Sequence, residues 1–217
     1  MAPKVSENYK EEKRKALLNF ARTAFAEKGY LKTSMQDIMD EANISRGALY
    51  SYFRNIDEIF IEVLKIDDSK CFSTFEFNKE KSIWDQVNSW IEKSLKDILN
   101  AEGTMTRAKS EFFVLVNYKN LNENFGYIKE RHITLEKKIE EIIKSGVERG
   151  EFNPKVSLNS IAIYFISFID SLMLNNFNLG ISEDKLNEQI IIFKYSLEDI
   201  LCLNKKFNGY ERKCYEI

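Results

Sequence analysis

"TSMQDIMDEANISRGALYSYF" (residues 33–53) holds two short amphipathic stretches joined by a three-residue connection. In the first, Ser34 is a good N-cap and Asp37 stands three positions on, a variant of the capping box. Ile38 and Met39 take its inner face, and Ala42 ends it. After "NIS", Ser45 caps a second stretch in which Leu49 and Phe53, four residues apart, share a buried face. Each stretch reads as a helix of about two turns, the second over 45–51. Two such helices about a short turn have helix-turn-helix spacing.

The second helix opens on Arg46 and Gly47. Its first N–H groups lack partners, and together with the helix dipole they attract negative charge. Gly47 costs a helix about 1 kcal/mol relative to alanine. Its presence points to close approach of the backbone to another surface. Tyr50 lies beside the buried face and Tyr52 is expected to point away from it.

Outward from this stretch the chain stays helical. Residues 9–28 repeat apolar positions at Ala16, Leu17, Phe20, Ala24 and Phe25, and Gly29 follows as a C-cap glycine. Another helix starts after Asn55, with Asp57 and Glu58 in its first turn. It runs to about residue 70. Further helices are expected over 82–100, 107–119, 121–149, 156–177 and 182–203, so the protein is all-α with about nine helices. Over 82–100 the stripe is Ile83, Val87, Trp90, Ile91, Leu95 and Ile98; over 121–149 it is Ile133, Ile139, Ile142 and Ile143. Ser182 is the expected N-cap of the last helix, and the tail after Lys205 is polar.

Composition narrows the function classes. The 217 residues are 44% apolar, enough for a sizeable core, and proline occurs only at positions 3 and 154. Residues 1–56 carry 10 Lys/Arg against 7 Asp/Glu, whereas 57–217 carry 22 against 27. A basic head on an acidic body suits an anionic partner at the head, although an ordinary mixed surface gives the same count. No uninterrupted apolar run of about 18 residues suggests a membrane span, and the N-terminus lacks a signal-peptide apolar region. Cys71, Cys202 and Cys214 fit neither a disulfide framework nor a zinc spacing, so a reducing cytoplasm is expected. One histidine and no carboxylate cluster argue against a metal site, and no motif implies a cofactor. HExxH, P-loop, GxSxG and Cys/His dyad patterns are missing, which argues against an enzyme.

The helices at 156–177 and 182–203 are apolar over wide faces. A helix apolar all round must be buried on all sides. Either these two form a homodimer interface, or they form the centre of the core.

Residues 9–60 resemble the DNA-binding domain of the TetR family of bacterial transcriptional regulators. The marks are "ALLNFARTAFAEKGY", the Gly29-Tyr30 and Thr33-Ser34 spacing, Ile38 four before Ala42, and S-x-G-x-L-Y-x-Y-F from Ser45 to Phe53. "GVERGEF" (146–152) is similar to the join before the last two helices in many members. The resemblance implies a three-helix DNA-binding domain over 1–56 and a helical ligand-binding and dimerisation domain over 57–217. It implies a homodimer on a two-fold double-stranded operator, with helix 45–51 of each copy in a major groove. Carried to this sequence, the DNA-contact positions are Thr33, Ser34, Gln36, Ser45, Arg46, Gly47, Ala48, Tyr50, Ser51, Tyr52 and Arg54. Ser34 and Gln36 fall where members touch phosphate and sometimes a base. Arg46 is placed either to read guanine or to touch phosphate alone. One departure stands out: Ile56 occupies a position where the family usually has a phosphate-binding lysine, and Arg54 is the candidate substitute.

The same resemblance implies a small, largely hydrophobic effector in the body. The aromatic content, 16 Phe, 10 Tyr and 2 Trp, suits an apolar pocket. Candidate lining residues are Trp84, Trp90, Phe112, Phe113, Val116, Phe125, Ile128, His132, Tyr164, Phe165, Phe168 and Met173, each of which also suits plain core packing. A repressor released from a palindromic operator by such a ligand is one reading. A helical dimer that binds DNA constitutively, or under a protein partner's control, is the other.

Overall fold

The computed structural model describes residues 7–73, 78, 80–100, 104–115 and 125–204, without the side chains of 71–73, 114, 115 and 125. Within these residues the chain forms nine helices and no strand: α1 (Glu7–Lys28), α2 (Met35–Ala42), α3 (Arg46–Tyr50), α4 (Ile56–Ser73), α5 (Ile83–Leu99), α6 (Met105–Leu115), α7 (Phe125–Glu148), α8 (Leu158–Leu179) and α9 (Glu183–Leu201). The all-α class is as expected.

By packing, the chain divides into two units: Met1–Thr74 with Asn100–Tyr127, and Phe75–Leu99 with Ile128–Ile217. This division does not run along the functional boundary drawn after residue 56, because α4 and α6 pack with the N-terminal helices.

In the first unit, α1 packs against α2, α4 and α6. Its inward stripe is Leu17, Leu18, Ala21, Ala24 and Phe25. This corrects the sequence reading at two positions, since Ala16 is exposed and Phe20 is 39% exposed. Leu17, Ala21, Ala24 and Phe25 recur at the spacing of one face, and Phe20 falls outside it. Four aromatic rings fill the centre. Phe60 lies 4.9 Å from both Phe25 and Tyr30, and Phe112 lies 4.6 Å from Phe60 and 4.9 Å from Tyr30. Burying each of the three phenylalanine rings contributes about 1.5–3 kcal/mol.

Gly29 ends α1 with φ +80°, and a Cβ there would stand 2.6 Å from the Glu111 carboxylate oxygens, so this glycine is needed for both backbone and space. Tyr30 donates its hydroxyl to Asp57 at 2.5 Å. Burial, then this bonded carboxylate, pushes the phenol well above its usual range.

In the second unit, α5, α7, α8 and α9 share a core around Phe193, which is fully buried. Phe168 stacks on its ring at 4.1 Å, Phe165 meets it edge-on at 5.1 Å, and Tyr164 lies at 5.6 Å. Glu151, 3% exposed, caps α5 from the α7–α8 join. It accepts the Ile83 N–H at 2.8 Å, the Trp84 N–H at 3.3 Å and the Ser82 hydroxyl at 2.9 Å. Gly146 is required beside it, since a Cβ would meet the Phe152 ring at 2.1 Å. The expected stripe of α7 is corrected at Ile133, which is 39% exposed while Ile139, Ile142 and Ile143 are buried. At about 100° per residue, Ile133 stands roughly 120° around the helix from Ile139. Ser182 occupies the N-cap position of α9, but its side chain makes no capping hydrogen bond.

Helix α8 is long and apolar enough to cross a membrane by length and composition alone. It also carries Ser167, Asp170 and Ser171, and it buries Ile161, Ala162, Phe165, Ile166 and Leu172 in the second unit.

Candidate nucleic-acid interface

The helix-turn-helix is built by three side-chain caps. Ser34 accepts the Asp37 N–H at 3.3 Å, and Asp37 returns the contact by accepting the Ser34 N–H at 2.7 Å, which completes the expected capping box. Lys28 donates to Asp37 at 2.6 Å. The lysine hydrogen bond, followed by those from Ser34, lowers the Asp37 carboxyl to about 2. Asn43 closes α2 in the left-handed region at φ 49°. Ser45 then caps α3 by accepting the Ala48 N–H at 3.3 Å. Asn55 caps α4 by accepting the Glu58 N–H at 2.8 Å.

Helix α3 has five residues, shorter than the two turns expected. After Tyr50 the Tyr52 N–H turns back to the Leu49 carbonyl at 3.0 Å, a three-residue reach that tightens the end and stops the helix. Leu49 is fully buried and Phe53 is 1% exposed, so the anchoring face is as expected. The two tyrosines exchange places. Tyr50 is 42% exposed, with the Arg46 guanidinium over its ring at 5.3 Å. Tyr52 is the half-buried one and lies 6.4 Å from the Phe53 ring. The turn beyond α3 directs Tyr52 back toward the core.

Ser34, Gln36, Ser45, Arg46, Gly47, Tyr50, Ser51 and Arg54 are all exposed, and Ala48 is partly buried. Open space surrounds Gly47, with nothing within 4 Å of a Cβ built there. Arg54 lies 3.6 Å from Glu58, with its side chain 77% exposed. Thr33 does not join this surface. It is 6% exposed, and its hydroxyl donates to the Gly29 carbonyl at 2.6 Å, so it braces the α1–α2 turn. Arg14 is spent on Glu62 at 2.8 Å and lies over the Phe53 ring at 5.1 Å. Ile56 begins α4 and is partly buried.

The candidate effector residues separate between the two units. Phe112 and Phe113 belong to the first, where Phe112 completes the aromatic centre. In the second, Trp84 and Phe165 are buried, and Trp90, Tyr164, Phe168 and Met173 pack against the core in part. Trp90 lies 4.7 Å from Phe165, and the Tyr164 and Ser196 hydroxyls share a hydrogen bond at 2.7 Å. Ile128 is half-buried. His132 is half-exposed and pairs with Glu136 one turn along α7 at 3.0 Å. Val116 and the Phe125 side chain lie outside the described residues. Phe193, the ring at the centre of this cluster, was not among the candidates; its "QIIIFK" context reads as an ordinary core stripe.

Two family models match the chain: "Bacterial regulatory proteins, tetR family" over 17–63, and "Tetracyclin repressor-like, C-terminal domain" over 86–187. The Bacillus subtilis protein YfiR, an uncharacterised HTH-type transcriptional regulator, is 26% identical over 176 residues, covering 81% of this chain and 85% of its own. The HTH-type transcriptional repressor KstR2 of Mycolicibacterium smegmatis is 26% identical over 152 residues, 69% of this chain and 72% of its own. The fold matches a TetR transcription regulator from Haloarcula marismortui with a TM-score of 0.73 at 16% identity, covering 88% and 99% of the two chains. A TetR-family regulator from Pectobacterium atrosepticum matches with a TM-score of 0.71 at 18% identity, covering 90% and 97%. A capped helix-turn-helix with an open arginine-glycine end, followed by a helical body matched in its own right, leads to one conclusion: the chain belongs to the TetR family of bacterial transcriptional regulators.

Proposed function

We propose that the protein is a cytoplasmic, non-enzymatic repressor that binds a palindromic operator as a homodimer and is released by a small, largely hydrophobic ligand. Residues 1–56 bind DNA, and 57–217 sense and dimerise. The observation that carries the reading is the exposed Arg46-Gly47 end of α3, a helix anchored by Leu49 within it and by Phe53 just beyond it. Such an end suits close approach to an anionic backbone and the guanine O6/N7 edge.

Dimerisation is supported by apolar side chains left uncovered on the last two helices. Ile163 and Phe177 on α8 are 42% and 38% exposed, and Ile191, Ile192 and Tyr195 on α9 are 49%, 57% and 49% exposed. Large apolar side chains exposed along two neighbouring helices suit an interaction site. Effector binding is supported by the aromatic cluster around Phe193 and by the Tyr164–Ser196 hydroxyl pair, a polar handle in an apolar setting. A ligand releases the operator only if it favours a conformation in which the two heads no longer match successive major grooves.

The test is binding to the DNA upstream of the protein's own gene, with and without a panel of hydrophobic compounds. Specific binding weakened by a compound that also raises the melting temperature supports the reading. Operator affinity unchanged across the whole panel sinks the inducer half of it and favours constitutive or partner-controlled binding.

A further inference from the structure

The outer face of α2 carries Gln36 and Asp40, one turn apart, and the Gln36 Nε2 donates to the Asp40 Oδ1 at 2.7 Å. A glutamine–aspartate pair one turn apart supports a helix only slightly, and the place of this aspartate works against that support. It stands in the last turn of a helix with no basic residue there, where the dipole disfavours negative charge. The Lys28 ammonium attracts Asp40 through space, but its hydrogen bond goes to Asp37. On a surface that meets a polyanion, an acid is a further cost.

The chemistry of the pair settles the amide's orientation. A carboxylate only accepts, so the amide must turn its NH2 toward Asp40. What remains to offer is the carbonyl Oε1 and one N–H. A phosphate, which only accepts, is opposed by both Oε1 and the Asp40 carboxylate. Guanine presents two acceptors, O6 and N7, and Oε1 opposes them too. Adenine presents a donor at N6 beside an acceptor at N7, the complement of what Gln36 has left.

We infer that Asp40 is a positioning residue that holds Gln36 to read adenine in the operator and turns it away from guanine and phosphate. This rests on the DNA-binding reading above and assigns one of its base contacts.

The experiment is selection from a randomised duplex library by the full-length protein and by Gln36→Ala, Asp40→Ala, Asp40→Asn and the Gln36→Ala/Asp40→Ala pair. The wild type is expected to prefer adenine over guanine at one position per half-site by roughly tenfold, the scale of one bidentate contact. That preference should disappear in every variant, with no further loss in the double variant, while melting temperatures stay unchanged. Binding of Asp40→Ala to unrelated DNA should equal or exceed the wild type's. A preference that survives Asp40→Ala overturns the inference, as does a Gln36→Ala variant that loses affinity uniformly across sequences. A library in which the wild type enriches no motif overturns the DNA-binding reading itself, and the pair with it.

Discussion

The Glu111 carboxylate, 2% exposed, accepts the backbone N–H of Leu31 at 2.8 Å and ties α6 to the turn between α1 and α2. Its other oxygen takes Arg107 at 2.9 Å. Glu111→Ala leaves a part-buried N–H without its acceptor, so a loss of about 1–3 kcal/mol is expected by chemical denaturation. Glu111→Gln keeps an acceptor and should lose less. Equal loss in the two variants would mean that the charge, not the hydrogen bond to Leu31, does the holding.

Leu49 and Phe53 anchor α3, both essentially fully buried. Truncating either to alanine should cost about 2–5 kcal/mol and abolish DNA binding through unfolding of the head. Arg46→Ala is the contrasting case. Arg46 is exposed and lies over the Tyr50 ring, so stability should change by less than about 0.5 kcal/mol while operator binding falls. Gel-shift titration on specific and random DNA then separates the two roles. A drop confined to specific DNA assigns Arg46 to a base, and an equal drop on both assigns it to phosphate.

The apolar positions on α9 give a test of assembly. Ile192→Glu, at a residue 57% exposed, should leave the helical circular-dichroism signal intact and shift the mass by light scattering from dimer to monomer. A wild type that is already monomeric at micromolar concentration would remove α8 and α9 as a dimer interface.

Asp37 gives the pH dependence. Its carboxyl sits at about 2 in the fold, held there by Lys28 first and Ser34 second, against about 3.9 in an unfolded chain. A lowered carboxyl stabilises fully above the unfolded value and loses that contribution as pH falls from about 4 through about 2. The melting-temperature gap between wild type and Asp37→Asn should therefore be present at pH 6 and be largely closed by pH 2. A gap constant across that range would show that the capping box does not depend on ionised Asp37.

The local features are legible in the residues alone. Ser34, Ser45 and Asn55 cap from within three residues of the N–H groups they satisfy, so spacing alone located the helix-turn-helix. The Leu49–Phe53 pair was legible for the same reason: just past the end of α3 the Phe53 N–H keeps the four-residue reach to the Leu49 carbonyl, so both side chains share one face. Only the tertiary structure decided which way α1 turns its wide apolar surface, and that Tyr50, not Tyr52, faces out. It also decided that α6 packs with the head and that Phe193 centres the second core. The tyrosines are set by the tight turn that stops α3, and the others depend on partners distant in sequence, as Glu111 and Leu31 are, 80 residues apart. Periodicity shows that a helix has an inner face; what that face touches depends on which helices fold against it.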